Sequence, residues 1–381
     1  MIRRVLFSVL WAACAWAAAT AEVPATPPPA NQVEVITSGA QKWELLTADL
    51  EQARQAICVE YFTFANDSCG RIIGDILMRK AQEGVPVRMI LENVAHPGTT
   101  KSYYKKLQKS GVEVRFFTDM DAWPWNVLPG IDQRDHRKIV TIDGRIGYTG
   151  GMNISENYHH WSDTHLRIEG PSVADLEDIF FHTWHRLGGS GEPLYEKSAV
   201  PDTTLEIVAG TAAYPVFQKR FVQTFSEARE YLYIETPYFC PTDTVVAAIE
   251  AAALRGVEVR LLVPKVTDHP ALTLANQSFF ASLLEAGVRV YEYLPEFNHS
   301  KVIIMDDRLC WIGSVNLNHR SLVHDNEIAA RIVDPAITKA QKACFLGLLS
   351  DSHEVTLDEV QAWTPWQRFT HRLPLILKDQ L

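Results

Sequence analysis

The chain sets short runs of apolar, β-branched residues between longer amphipathic stretches, and it does so twice. Ile139-Val140-Thr141-Ile142 and Val302-Ile303-Ile304-Met305 are closed by Asp143-Gly144 and by Asp306-Asp307-Arg308. Short apolar runs bounded by turn residues predict buried strands. Ile146-Gly147-Tyr148-Thr149 then predicts a return strand. Upstream, residues 53–62 align with residues 228–237. Each of these segments leads into a helical stretch, then Gly84-Val85-Pro86-Val87-Arg88 or Gly256-Val257-Glu258-Val259-Arg260. A second helix follows, then Gly111-Val112-Glu113-Val114 or Gly287-Val288-Arg289-Val290. A glycine just after a helical stretch is a C-terminal stop signal. Strand, helix, strand, helix, strand predicts an α/β fold with a largely parallel sheet. The repetition predicts two tandem α/β domains, related by pseudo-two-fold symmetry, with one shared active site. Residues 187–203, which hold LGGSGEP and Pro201, break the period, so the domains read as 35–195 and 196–381.

The chemistry sits on the repeated strands. Residues 136–153 read HRKIVTIDGRIGYTGGMN and residues 299–316 read HSKVIIMDDRLCWIGSVN, 18 residues each. Residues two apart on a strand share a face, so His136 and Lys138 point the same way, as do His299 and Lys301. Asp143 is seven residues from His136, an odd step that aims it away from the site. It is assigned to the turn as a supporting residue, and Asp306 likewise. The return strand brings Asn153, and in the second copy Asn316, back to the His-Lys end. Two imidazoles, two ammonium groups and two amides suit one phosphate. One imidazole attacks phosphorus. The other protonates the departing oxygen and then deprotonates the incoming alcohol or water. The remaining groups hold charge on the non-bridging oxygens. This division of work calls for no metal and no cofactor. The competing reading, core histidines and solvated lysines, is weak against two matched copies. Asp163, Arg167 and Pro171 fall on Glu327, Arg331 and Pro335 at a constant offset of 164. Asp163 and Glu327 are assigned to orienting the two imidazoles, with a surface ion pair to a nearby arginine as the alternative. Which acid meets which histidine stays open.

The doubled phrase resembles the H-K-D signature of the phospholipase D superfamily. Glu235-Thr236-Pro237-Tyr238-Phe239 is similar to the TPYF strand of bacterial cardiolipin synthases. Residues 163–171 are similar to their D-x-H-x-R-x-x-G-P segment, and Asn326-Glu327 to the acid position after their second motif. The likeness runs from about Val35 to the C-terminus. It implies a phosphatidyl transferase working through a phosphohistidine on phosphatidylglycerol or a similar phospholipid. His136 would be the nucleophile and His299 the acid and base, with the reverse open. Three rivals share the motifs: a secreted phospholipase D that hydrolyses, a nuclease, and a non-catalytic lipid-binding descendant.

Composition trims these choices. The 381 residues are 47% hydrophobic and 22% charged, with a net charge of -10. That balance disfavours a general nucleic-acid binder; Lys101, Lys105, Lys106 and Lys109 read as a solvated helix face. The basic start Met1-Ile2-Arg3-Arg4, the Ala-rich apolar run of residues 5–19 and Ala19-Thr20-Ala21 read as a secretory signal over residues 1–21. An uncleaved anchor or a lipidated Cys14 are the alternatives, and residues 22–34 form a Pro-rich linker. The expected location is across the bacterial inner membrane, periplasmic or membrane-attached. Six cysteines without a C-x-x-C spacing argue against a metal site; Cys310 reads as core, and a disulfide at Cys58 or Cys69 is left open. Val114 and His136 are 22 residues apart but Val290 and His299 only 9. The extra segment, with Trp123-Pro124-Trp125 and Val127-Leu128-Pro129, reads either as an acyl-chain or membrane contact or as core packing. The tail from Trp363 to Leu377 is basic, aromatic and apolar, and is expected to touch a membrane surface; a helix docked on the second domain is the alternative. The chain is expected to be a monomer, an internal pseudo-dimer.

Overall fold

The structure is a computed structural model that describes residues 30–92, 101–118, 133–197 and 202–380. The basic, Ala-rich start, most of the Pro-rich linker and the Trp-rich segment before His136 lie outside the described residues. The first half runs β1 (Gln32–Ile36), α1 (Gly39–Gln52), β2 (Ile57–Tyr61), α2 (Ser68–Gln82), β3 (Val87–Leu91), α3 (Lys101–Lys109), β4 (Glu113–Phe116), β5 (Lys138–Ile142), β6 (Ile146–Gly150), β7 (His165–Glu169) and α4 (Val173–Arg186). The second begins β8 (Leu205–Gly210), α5 (Val216–Glu227), β9 (Tyr231–Glu235), β10 (Phe239–Cys240), α6 (Asp243–Leu254), β11 (Glu258–Pro264), α7 (Pro270–Ser278), α8 (Phe280–Glu285) and β12 (Arg289–Tyr293). It continues β13 (Val302–Met305), β14 (Leu309–Gly313), β15 (Leu317–Asn318), α9 (His319–Val323), β16 (Glu327–Ile332), α10 (Pro335–Leu348), β17 (Ser352–Val355), α11 (Leu357–Gln361) and α12 (Pro365–Arg372).

The two main sheets have one topology. The first is ordered β1-β7-β6-β5-β2-β3-β4 and the second β8-β16-β14-β13-β9-β11-β12, with β17 added at the edge. Within these two sheets parallel pairing is confined to β2–β3–β4 and β9–β11–β12. Every other junction in these sheets is antiparallel, so the expected largely parallel sheet is corrected to a mixed one. The reason is local. The turn after β5 is too short for a parallel crossover and can only make a hairpin. Its central residues, Asp143 and Gly144, have φ of 53° and 62°, and the second copy has Asp306 and Asp307 at 54° and 49°. Positive φ at both turn positions matches the twist of the flanking strands.

Helix ends follow the sequence signals. Gly84, Gly111, Gly256 and Gly287 take φ of 89–98° just after their helices, where a side chain would be strained. Asp334 caps α10, accepting hydrogen bonds from the Ala336 and Ile337 amides at 2.7 and 3.1 Å, with Pro335 in the first turn.

The core forms layers. β9, β13 and β14 alternate strictly: Leu232, Ile234, Ile303, Met305, Leu309 and Trp311 pack under the outer helices of the second half. Tyr231, Tyr233, Val302, Ile304, Cys310 and Ile312 face the other way, into a cluster that also holds Ile139, Leu166, Ile168, Val173 and Leu176 of the first half. The two sheets are thus fused through a shared apolar layer, with a separate outer core in each half. Cys58, Cys69, Cys240, Cys310 and Cys344 are free thiols, and Cys310 is core as expected. Among the described residues no helix is long and apolar enough to cross a membrane.

Candidate active site

The two His-x-Lys segments enter β5 and β13 at the middle of their sheets, and each is held from the opposite half. The His136 amide donates to the Asn326 carbonyl at 2.9 Å, and the His299 amide to the Ser162 carbonyl at 2.7 Å. Such reciprocity, where each surface contacts its own copy, is the mark of two-fold pairing. The side chains repeat the exchange. His136 Nδ1 lies 2.9 and 3.1 Å from the two carboxylate oxygens of Glu327, and His299 Nδ1 lies 2.7 Å from Asp163 Oδ2. Asp163 sits just before β7 and Glu327 opens β16, both fully buried. Each imidazole therefore meets the acid of the other half. That replaces the alternative of surface ion pairs and fixes the partner choice that the sequence left open. A carboxylate on Nδ1–H leaves the lone pair on Nε2.

Each acid is itself pinned, by different means. The Thr164 amide donates to Asp163 Oδ1 at 2.7 Å, and a Cβ on Gly151 would stand 2.1 Å from that oxygen. The site requires the second glycine of the Gly150-Gly151 pair because the carboxylate fills its side-chain space. In the second copy that position is Ser314, whose hydroxyl donates to Glu327 Oε2 and accepts the Ile328 amide at 3.0 Å.

Lys138 Nζ donates to the His136 carbonyl at 2.6 Å. Lys301 Nζ touches the edge of the His299 ring, 2.8 Å from Nδ1 and 2.9 Å from Nε2. Asn153 gives one amide hydrogen to the Tyr158 hydroxyl at 2.7 Å and accepts the Thr63 amide at 3.1 Å. Asn316 Nδ2 lies 3.5 Å from the Ser321 hydroxyl, and its Oδ1 is buried without a partner. Asp143 and Asp306 lie at the far end of their strands. Asp143 accepts the Arg54, Gln55 and Ala56 amides at 2.6–3.1 Å. Asp306 accepts those of Arg229, Glu230 and Tyr231 at 2.9 Å. Both clamp the chain just before β2 and β9.

Burial, followed by the nearby ammonium groups, holds both imidazoles well below their ordinary value, so they rest neutral. Burial also pushes Asp163 and Glu327 up to about 7, against the pull of Lys301 and Lys138 respectively. It pushes Lys138 down to about 7 and Lys301 down to about 8, opposed first by Glu327 and by Asp163. Acids and cations are thus poised around neutral pH, where small changes in local charge move protons.

A cavity of about 890 Å³ opens onto His136, His299, Asn153 and Asn316. Tyr158, Trp161, Tyr238 and Phe297 surround His299 at ring-centroid distances of 5.6–6.2 Å, whereas His136 has Phe62 at 4.9 Å. Arg134, Arg320, Asp325 and Asp268 add charge to the wall. Sequence reasoning missed this lining. It also missed Lys42, buried on α1, whose Nζ donates to the Met152 and Asn153 carbonyls at 2.8 and 3.2 Å. A lysine within an apolar helix face was the available signal.

A doubled mixed sheet with two carboxylate-tethered imidazoles on one cavity defines a phospholipase D-type enzyme. The family model "Cardiolipin synthase, PLD-like domain" matches residues 46–184 and 221–349. Cardiolipin synthase A of Pseudomonas putida is 32% identical over 354 residues, 90% of this chain and 72% of that protein. Cardiolipin synthase of Staphylococcus aureus is 31% identical over 366 residues, 92% of this chain and 74% of that protein. Phosphatidylserine synthase of Haemophilus influenzae superposes with a TM-score of 0.70 at 17% identity, covering 92% of this chain and 95% of that one. The chain belongs to the cardiolipin synthase family of phospholipase D-like proteins and is a phosphatidyltransferase of that superfamily.

Proposed function

We propose that the enzyme moves a phosphatidyl group from phosphatidylglycerol, or a closely related phospholipid, to the hydroxyl of a second lipid alcohol through a phosphohistidine. The observation that carries this is the crossed pairing of each imidazole with a buried acid. Nε2 of His136 attacks phosphorus, the P–O bond to the leaving alcohol breaks, and His299 gives that oxygen a proton. The incoming alcohol then returns a proton to His299 while its oxygen displaces His136 from phosphorus. Lys138, Lys301, Asn153 and Asn316 neutralise the phosphoryl oxygens. The arriving phosphodiester, an anion, raises the imidazole of His299 toward its charged form. Two differences favour His136 as nucleophile. Its side chain is 12% exposed against 6% for His299, and Nε2 of His299 lies against the Lys301 ammonium, which suits proton traffic better than attack. The aromatic wall around His299 favours transfer over hydrolysis, because it sheds water from the incoming oxygen.

The test supplies phosphatidylglycerol with and without a second lipid alcohol and weighs the products. A phosphatidyl adduct should be trapped on His136 during turnover and be absent from a His136→Ala variant. Turnover in a His136→Ala, His299→Ala double variant would overturn the mechanism, and release of phosphatidic acid alone would turn the reading to hydrolysis.

The same reading puts the protein on a membrane surface. Trp366, Phe369, Leu373 and Ile376, three or four residues apart along the C-terminal helices, are 42–78% exposed, and the basic Arg368 and Arg372 lie among them. α12 packs on α7, whose Ala271 and Leu272 line the cavity. This tail is both docked and apolar outward. Trp366→Glu should weaken sedimentation with anionic phosphatidylglycerol vesicles; unchanged sedimentation would refute this contact. The basic, Ala-rich residues 1–21 support export across the inner membrane, which N-terminal sequencing of the protein from periplasmic and membrane fractions would test.

A further inference from the structure

Behind His136 lies a second group of ionisable side chains that the transfer reaction does not use. Glu60, in the middle of β2, and Asp135, next to His136, are fully buried. None of their four carboxyl oxygens has a hydrogen-bond donor in the structure. Arg137 Nη1 stands 3.6 Å from Glu60 Oε1, but Arg137 gives its N–H groups to Thr183 Oγ1, the Gly210 carbonyl and the Glu327 carbonyl at 3.0–3.4 Å. Glu92 is a third buried carboxyl, accepting the Asp135 amide at 3.0 Å. Two ionised carboxylates side by side in a dry site, with no hydrogen-bond donor between them, would be strongly unfavourable.

The duplication supplies an internal control. The residues equivalent to Glu60 and Asp135 are Glu235 and Asn298, and there Asn298 Nδ2 donates to Glu235 Oε1 at 2.7 Å. Asn298 Oδ1 in turn accepts the Ser300 amide at 3.0 Å, so this bond fixes the segment that carries His299. In the first half the amide is replaced by an acid, and the same bond can form only if a proton takes the place of the amide hydrogen. Burial and the facing Asp135 carboxyl do raise Glu60 well above the carboxylate range, and burial raises Asp135. The charged groups bearing on the pair are Arg137, Lys138, Arg186 and, at the Asp135 amide, Glu92.

We propose that Glu60 and Asp135 share one proton, and that this proton-joined pair positions His136 as the Glu235–Asn298 bond positions His299. Both are positioning residues. The second step rests on the transferase reading, whereas the shared proton does not. A carboxyl whose value is raised on folding contributes stability at low pH that is lost as pH rises through the raised value.

The test uses the full chain with Asp135→Asn, Glu60→Gln and Asp135→Ala. An amide at either position makes the bond without a proton. The melting temperatures of Asp135→Asn and Glu60→Gln should therefore gain on the parent steadily from pH 5 to 9. A difference that stays constant over that range overturns the shared proton, and this measurement needs no substrate. In phosphatidylglycerol turnover, Asp135→Ala should lose about 10- to 100-fold, the range for groups that act by orienting a functional side chain. Asp135→Asn should recover most of that activity, because its amide restores the bond to Glu60. Equal impairment of Asp135→Asn and Asp135→Ala overturns the positioning role.

Discussion

Asp163→Asn should damage catalysis more than Asp163→Ala. Asp163 Oδ1 accepts the Thr164 amide at 2.7 Å while Oδ2 meets His299 Nδ1 at 2.7 Å. An asparagine here is isosteric, but its carbonyl oxygen must stay on the Thr164 amide, since an NH2 facing that N–H would leave both donors unpaired. The amide NH2 then points at Nδ1 and forces it to accept. The ring proton moves to Nε2, the atom that must take and give protons in the cavity. Trapping the wrong tautomer in this way costs about 10⁴-fold in a serine protease triad. Alanine only removes the orienting bond and leaves the tautomer free. A hydrogen bond to a charged group contributes about 1.5–3 kcal/mol, or roughly 10- to 150-fold in rate. The assay is single-turnover formation and decay of the phosphatidyl-enzyme, with melting temperatures to confirm that both variants fold. If Asp163→Asn reacts as fast as Asp163→Ala or faster, the orienting role assigned to Asp163 is wrong.

Other outcomes follow from the same geometry. Gly151→Ala puts a Cβ into the space of Asp163 Oδ1, so it should cost about 1–3 kcal/mol of stability and most of the activity; an unchanged melting curve would refute the crowding. Asp143→Ala and Asp306→Ala each free three backbone amides and should each lower stability by about 1.5–3 kcal/mol. Asp143→Ala should cost more because Asp143 is buried and Asp306 only partly so, as denaturant titration would read. Turnover against pH should be a narrow bell. On the acid side Asp163 and Glu327 take up protons near 7 and stop accepting from Nδ1–H. On the alkaline side Lys138 and Lys301 lose theirs near 7 to 8 and stop neutralising phosphate. A flat kcat/KM from pH 5 to 9 would contradict this assignment.

The sequence carries the parts of this design that are local. The repeat, the strand–helix order, the turn aspartates and the His, Lys and Asn set all lie in short segments, each with its own periodicity or turn chemistry. The antiparallel half of each sheet was less legible, because helix-flanked strands read as crossovers unless the short Asp143-Gly144 link is given its full weight. The acids at 163 and 327 were visible as a matched pair, but their exchange between halves depends on rigid-body packing across the shared layer of Ile139, Leu166 and Ile304, which no local pattern encodes. Glu60 and Glu235 stood in plain view as charges inside apolar strands. Their meaning needed the structure, because only there does Asp135 face one and Asn298 the other.

The crossed acids bear on how the gene tolerates change. Duplication normally supplies a spare, so that one copy drifts while the other keeps working. Here a substitution at Glu327 removes the carboxylate that the imidazole of the first half meets, and one at Asp163 that of the second. Neither half holds a complete histidine–acid couple of its own. The two copies are free to diverge in their walls and loops, but as hereditary units they can only be lost together.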